Sequence, residues 1–414
     1  MKRWIALGTL LLIHSNAGFA AVSEPCQVLN QSFNAVWITE CDSAIKAETN
    51  PARKSDLLFG RAYVAVDQQK LDDALEFLNQ AIALNNGNWQ AYRERAYVLG
   101  EFGRHLDALA DIEVTLALSP DNIKTYSERA WSRNILADFG GSLDDVGRVL
   151  ARQPDDDALM EIQIDNFLRM GRIREAELAI DQLRALGKRK SDPKIVARAK
   201  TLLERVAVIQ DRSANGDPKT LCENVAQKPD EINVHAIGDC TAAYFQSTQM
   251  TDKAKYLTHR SVAWLVVRRD VQQSLADDQI AVALDPANPD WHSNLGYSYL
   301  STRHSWAARN AFDRALALQP KHFLALAGRA SAFYAMDDYA NARRDAVASA
   351  KIELNPVAMR VAGNIAHDVD KDMGSARRFW LTAWKLGDHS DGLLDQLKDI
   401  GVADPDAADT NRAE

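Results

Sequence analysis

Small and bulky apolar positions recur along this chain at a fixed spacing. Gly60-Arg61-Ala62-Tyr63, Glu94-Arg95-Ala96-Tyr97 and Glu128-Arg129-Ala130-Trp131 follow one another at a constant step, from Ala62 to Ala96 to Ala130. Twelve positions after each alanine comes another small residue, Ala74, Ala108 or Ser142, and Ala176 continues the row. Pro120 and Pro154 close the second and third copies, with Asn86 at the matching place in the first. Gly103 and Gly171 fall where two helices of one unit would turn. The recurrence has a period of about 34 residues, the mark of a repeat architecture.

The second half repeats the scheme. Leu295-Gly296 with Tyr299, then Ala308, Phe312, Ala315 and Pro320, make its cleanest unit. Arg329-Ala330 with Ala342 make the next, Pro286 closes the one before, and Ala376, Trp380 and Ala383 mark a weaker last copy. A larger symmetry lies on top: Cys41 corresponds to Cys240, Arg61 to Arg260, Leu84 to Leu284, Pro120 to Pro320 and Gly187 to Gly387, with an offset close to 200.

These residues follow the tetratricopeptide repeat pattern, and the chain resembles that family over residues 55–190 and 255–390. The resemblance implies an all-α solenoid, a right-handed superhelix of helix-turn-helix repeats, here in two duplicated modules. The expected organisation is a cysteine-paired cap at 21–54, a first module at 55–190, and a linker helix and loop at 191–221. A second cap follows at 222–254, a second module at 255–390, and a C-terminal helix with an acidic tail at 391–414. Ser191-Asp192-Pro193 signals the start of the linker helix, a capping residue followed by proline in the first turn. The segments around the cysteine pairs are similar to the leader of many exported bacterial members, where a disulfide-tied helix caps the solenoid.

The chain's start points to export as well. Lys2 and Arg3 precede an apolar run from Trp4 to Ile13, and Gly18-Phe19-Ala20 places small residues before a cut ahead of Ala21. This is the layout of a signal peptide over residues 1–20, too short to serve as a membrane span. A periplasmic protein is expected, with secretion from the cell as the alternative. Four cysteines suit that compartment and allow three connectivities. The duplication favours Cys26 with Cys41 and Cys222 with Cys240, and neither pair has the short spacing of zinc ligands.

Composition narrows the partner only slightly. Forty-nine Lys and Arg against 57 Asp and Glu leave a net charge of −8, which disfavours nucleic acid. The recurrent Arg61, Arg95, Arg129 and Arg329 form a tempting ligand ladder, but Asp111, Asp145 and Asp345 follow the last three at one constant spacing. That spacing predicts clamps between paired helices, with Arg61, opposite Phe77, as the exception.

The family's inner face is lined by the first helix of each pair. Matched positions put Phe59, Tyr63, Tyr97 and Trp131 there, flanked by Asp67, Arg93, Glu101, Lys124 and Asn134, with His259, Tyr297, Ser293 and Tyr334 in the second module. Such a stripe suits an extended or helical peptide, or stacking on a glycan; the alternative is that each ring covers the next repeat. Members that clamp the tails of cytosolic chaperones use Lys and Asn where this chain has Phe59, Tyr63 and Glu94, so that mode is not implied.

No catalytic motif, phosphate loop, metal spacing or cofactor signature is legible. His304 and His322 read as residues near helix ends and His105 as a solvated turn residue, while Asp155-Asp156-Asp157 reads as a helix cap. The expected function is a non-catalytic scaffold for a protein or peptide, with no membrane span. An adaptor in polysaccharide or appendage export is a narrower alternative, and an enzyme without recognisable motifs a second one.

Overall fold

Cap residues and prolines set where the helices of this chain begin. Asn50, Asp192, Asn288 and Asn355 each accept a backbone N–H of the helix that follows, and each is followed by proline in the first turn. The computed structural model describes residue 26, residues 35–227 and residues 232–406. The expected signal peptide at 1–20 and the end of the acidic tail, 407–414, lie outside the described residues. By packing, the chain divides into a unit ending at Asn88 and a unit beginning at Trp89.

The first unit contains α1 (Ala35–Ala47), α2 (Pro51–Asp67) and α3 (Leu71–Leu84). Helices α2 and α3 run antiparallel: Ser55 at the start of one donates its hydroxyl to the Ala81 carbonyl near the end of the other. The Cys26–Cys41 disulfide ties α1 to the segment before it, and the bridge is buried with Trp37, Leu57 and Val64. Arg61 reaches Asp42 at 2.8 Å, and its guanidinium lies 5.0 Å from the Phe77 ring centroid. The exception among the arginines therefore joins α2 to α1 instead of clamping its own helix pair.

The second unit continues with the pairs α4 (Trp89–Glu101) and α5 (His105–Leu118), α6 (Ile123–Ile135) and α7 (Phe139–Leu150), and α8 (Asp157–Arg169) and α9 (Ile173–Arg189). Then come α10 (Pro193–Gln210), α11 (Pro218–Gln227) and α12 (Ala236–Gln246), the last two tied by the Cys222–Cys240 disulfide. The later pairs are α13 (Met250–Ala263) and α14 (Val271–Leu284), α15 (Pro289–Ser301) and α16 (Ser305–Leu318), α17 (Phe323–Ala335) and α18 (Tyr339–Ile352), and α19 (Pro356–Asp368) and α20 (Met373–Lys385). Helix α21 (Asp391–Asp399) ends the series, and the described residues contain no strand.

Every pair turns through one left-handed residue. Gln69, Gly103, Ala137 and Gly171 have φ of 59°, 69°, 62° and 71°, and Arg269, Arg303, Asp337 and Lys371 lie between 53° and 63°. Each set advances by the same step as Ala62, Ala96 and Ala130, so the turn itself is part of the repeat. Glycine occupies only two of the eight places, although it alone adopts this region without steric penalty.

The duplication carries one insertion, and the structure locates it. Cys41 and Cys240, like Arg61 and Arg260, differ by 199, whereas Leu84 and Leu284, like Pro120 and Pro320, differ by 200. A π-helical turn, Trp264–Arg268, absorbs the extra residue at the end of α13. Arg260 accordingly meets Asp277 seventeen positions on, where the other pairs use sixteen.

Within the second unit the later helices run back along the turns of the earlier ones. Phe245 of α12 covers Gly171. Ala137 and Phe139 pack on a cluster that includes Tyr244, Leu257 and Ile280. Tyr299 covers Gly103, Phe102 meets Trp306 edge-on at 5.7 Å, and Asn310 donates to the Phe102 carbonyl at 3.0 Å. His105 is thereby buried, not solvated as its turn position suggested: its Nε2 lies 3.3 Å from the Tyr299 hydroxyl. His322 is also buried, because Asp290 and the Ala325 amide engage both of its ring nitrogens.

Candidate functional site

The arginine clamps account for the most regular charged residues. Arg95 grips Asp111 with two bonds of 2.7 Å, Arg129 grips Asp145 at 2.8 and 2.7 Å, and Arg329 grips Asp345 at 2.6 and 3.2 Å. These fork-to-carboxylate pairs join the helices of a repeat. The cap expected from Asp155-Asp156-Asp157 is present: Asp156 accepts from the Leu159 amide, and Asp157 pairs with Arg198.

Four of the expected binding residues of the second unit share one surface, built by α4 and α6. Tyr97 and Trp131 remain 40% and 38% exposed. Trp131 lies over Gly100 and meets His105 edge-on at 5.3 Å. Arg93 holds Glu128 bidentately, with bonds of 2.6 and 3.0 Å. Burial works against the charged guanidinium, but Glu128 outweighs it and raises its pKa. Lys124 is lowered by desolvation and by Arg93, with Glu128 and Glu94 opposing.

The remaining candidates are engaged elsewhere. Asn134 donates to Asp165 and Asn166 at 3.0 Å, joining a buried network in which Asp165 meets Arg169 and Arg205. His259 Nδ1 lies 3.1 Å from the Cys222 carbonyl and so anchors α13 to the disulfide-tied helix. Tyr297 donates to the Leu324 carbonyl of the next repeat at 2.8 Å and packs edge-on against Phe312 of its own. Tyr334 bonds Asp368. In the first unit Phe59 and Tyr63 stand one turn apart on α2, each half-buried.

Glu101, expected among the flanking residues, and Glu94, which was not singled out for binding, flank Tyr97 on its own helix face. Burial pushes the Glu94 carboxyl up to about 7, with Arg93 and Lys124 opposing and Glu128 adding, and burial raises Glu101 as well. Asp278, buried among Ser261, Ser274 and Ser298, is pushed up to about 7 by burial. The repeat register could have found it, since Leu78, Ile112, Val146 and Phe312 hold its place in other copies.

Among the described residues no cluster of three or more His, Cys, Asp or Glu is arranged to hold a metal ion. No helix there is long and apolar enough to cross a membrane.

Two stretches, residues 59–123 and 293–358, match the family model of the tetratricopeptide repeat. With helix pairs throughout, the chain is a tetratricopeptide repeat protein, an all-α solenoid of a class that serves chiefly in protein interaction. No curated protein gives a significant sequence match. Among solved structures, a tetratricopeptide repeat protein from Parabacteroides merdae is 13% identical, covering 84% of this chain and 98% of that one, with a TM-score of 0.29. Yeast Tom70 is 16% identical, covering 82% and 77%, with a TM-score of 0.32. At these values neither likeness bears on function.

Proposed function

We propose that this protein is an exported, non-catalytic scaffold that binds a protein or peptide segment on the inner faces of its first helices, with the α4–α6 surface as its main contact. The observation that carries this reading is the exposure of Tyr97 and Trp131 on neighbouring helices, while the matching Tyr297 is committed to Leu324 and Phe312. Rigid aromatic rings bring large contact area at low entropic cost, which is why they anchor interfaces. Export is supported by the sequence at residues 1–20 and by two disulfides, which persist in oxidising compartments.

The test is photo-cross-linking in the native cell envelope from p-benzoylphenylalanine at position 97, which keeps a ring there. A dominant protein adduct, lost when Trp131 becomes Ala without loss of folding, is the expected result. Absence of any protein adduct from the folded protein would overturn the reading.

A further inference from the structure

Helix spacing puts Glu94, Tyr97 and Glu101 on one face of α4, three and four positions apart. Trp131 of α6 lies over Gly100 beside them, with its Cζ3 3.6 Å from where a β-carbon would stand. Packing on Gly100 and the edge of His105 accounts for part of the tryptophan, and the rest of both rings stays open.

The charges on this surface are unevenly matched. Its cations lie toward one end, where Arg93 is committed to Glu128 and both Arg93 and Lys124 act on Glu94. Toward the other end stands Glu101, which has no hydrogen bond or ion pair among the described residues. The neighbouring basic group, His105, is packed against Tyr299 and Trp131, and burial holds it neutral.

We propose that this surface seats a Lys or Arg side chain of the bound polypeptide against the open faces of Tyr97 and Trp131, with Glu101 as its counter-charge and Glu94 as the second. This rests on the scaffold reading and names the chemistry of its partner. An aromatic face attracts a cation through its quadrupole, and the aliphatic stem of Lys or Arg covers ring surface while the charge stays at the rim. A partly desolvated carboxylate without a partner is stabilised by an opposite charge brought within a few ångströms. An acidic segment meets the reverse: Glu94 and Glu101 repel it, and Arg93 is already occupied.

The test uses the full chain labelled with 5-fluorotryptophan. Its nine tryptophans require assignment, and the resonance of residue 131 is identified from Trp131→Phe. The probes are N-acetyl-Gly-Arg-Gly-amide and its citrulline counterpart, which keeps the shape and removes the charge. The expected result is a saturable shift at residue 131 with the arginine peptide and binding of the citrulline peptide weaker by about tenfold. Glu101→Gln should bring the two affinities together.

Equal affinities in the wild-type protein overturn the cation seat and leave the scaffold reading intact. So does the absence of a shift with either peptide while cross-linking from position 97 still captures a protein. A shift with chitotriose but not with the arginine peptide also overturns it and points to sugar stacking. Arginine preference without any protein adduct would keep the seat and remove the protein partner. The probe comparison itself is made on the wild-type protein, so misfolding of Glu101→Gln would not blunt the test.

Discussion

The hydroxyl of Ser298 donates to Oδ2 of Asp278 at 2.6 Å inside a seam that is apolar in the neighbouring repeats. Asp278 is 2% exposed, Ser261 also donates to the same oxygen at 2.9 Å, and Oδ1 has no partner among the described residues. Leu78, Ile112, Val146, Ile180, Phe312, Ala346 and Trp380 fill the equivalent place elsewhere, all of them buried. One repeat of the stack therefore holds a titratable group where the others hold an apolar side chain.

That substitution makes stability depend on pH. Burial, with Asp277 adding, pushes the Asp278 carboxyl up to about 7 against the opposing hydroxyls of Ser298 and Ser261. Its folded pKa thus exceeds its unfolded one, so its contribution is full below about pH 4 and is lost as pH rises to about 7. Asp278→Asn should flatten that slope and exceed the wild type in stability at pH 8 by an amount on the order of a few kcal/mol. Urea unfolding of both proteins at pH 5 and pH 8 reads the difference; parallel pH profiles would reject the assignment.

His105 contributes with the opposite sign. Burial lowers its pKa to about 4, so it is neutral in the fold while the unfolded chain takes up a proton below about pH 6.5. Its stabilisation is therefore full above about pH 6.5 and lost progressively toward pH 4. Relative to His105→Leu, the wild type should lose on the order of 1 kcal/mol or more between pH 7 and pH 5. A wild type that keeps the same margin over the variant at both pH values would show that this histidine is solvated after all.

The arginine clamps should differ in sensitivity. Arg95→Ala leaves the buried Asp111 without its bidentate partner and should destabilise by roughly 3 kcal/mol. Arg129→Ala should be milder, because Arg133 still reaches Asp145 at 2.9 Å. Thermal unfolding of the two variants side by side checks the order. A reversed order, or lost partner capture with an unchanged melting temperature, would return these arginines to the ligand ladder.

Turn geometry offers a stabilising change. Lys371 has φ of 57° and an exposed side chain at the place where Gly103 and Gly171 serve in two other repeats. Lys371→Gly should relieve left-handed strain and raise stability by about 1 kcal/mol. A melting temperature below that of the wild type would show that the backbone entropy of glycine dominates there.

Each disulfide closes a short loop, with sequence separations of 15 and 18. Loss of either should destabilise its unit by about 3 kcal/mol on the chain-entropy model. Peptide mapping without reduction should find Cys26 with Cys41 and Cys222 with Cys240; a Cys41–Cys240 link would exclude this pairing.

The helix pairs, their period, the arginine clamps and the cysteine pairing were legible in the sequence because each rests on short-range spacing. The small Ala108 after Ala96, or the acid Asp111 after Arg95, reports a local helix pair whatever surrounds it. Even Asp278 was visible in the register, as the polar member of an apolar column. The candidate surface was legible only as a list of positions. Tyr97 and Tyr297 hold related places in the pattern, yet one ring stays open while the other packs on Phe312 of its own repeat and bonds Leu324 of the next.

The sequence alone determined that the chain builds a stack of helix pairs with two disulfide-tied segments. Tertiary structure alone decided which side chains on that stack remain available. Its later helices return along the turns of the earlier ones, so Tyr299 buries His105, and Arg169 meets the sequence-distant Asp277 at 3.4 Å. No periodic pattern encodes such contacts, because burial depends on which surfaces meet in space, and that follows from the summed angles of many helix pairs.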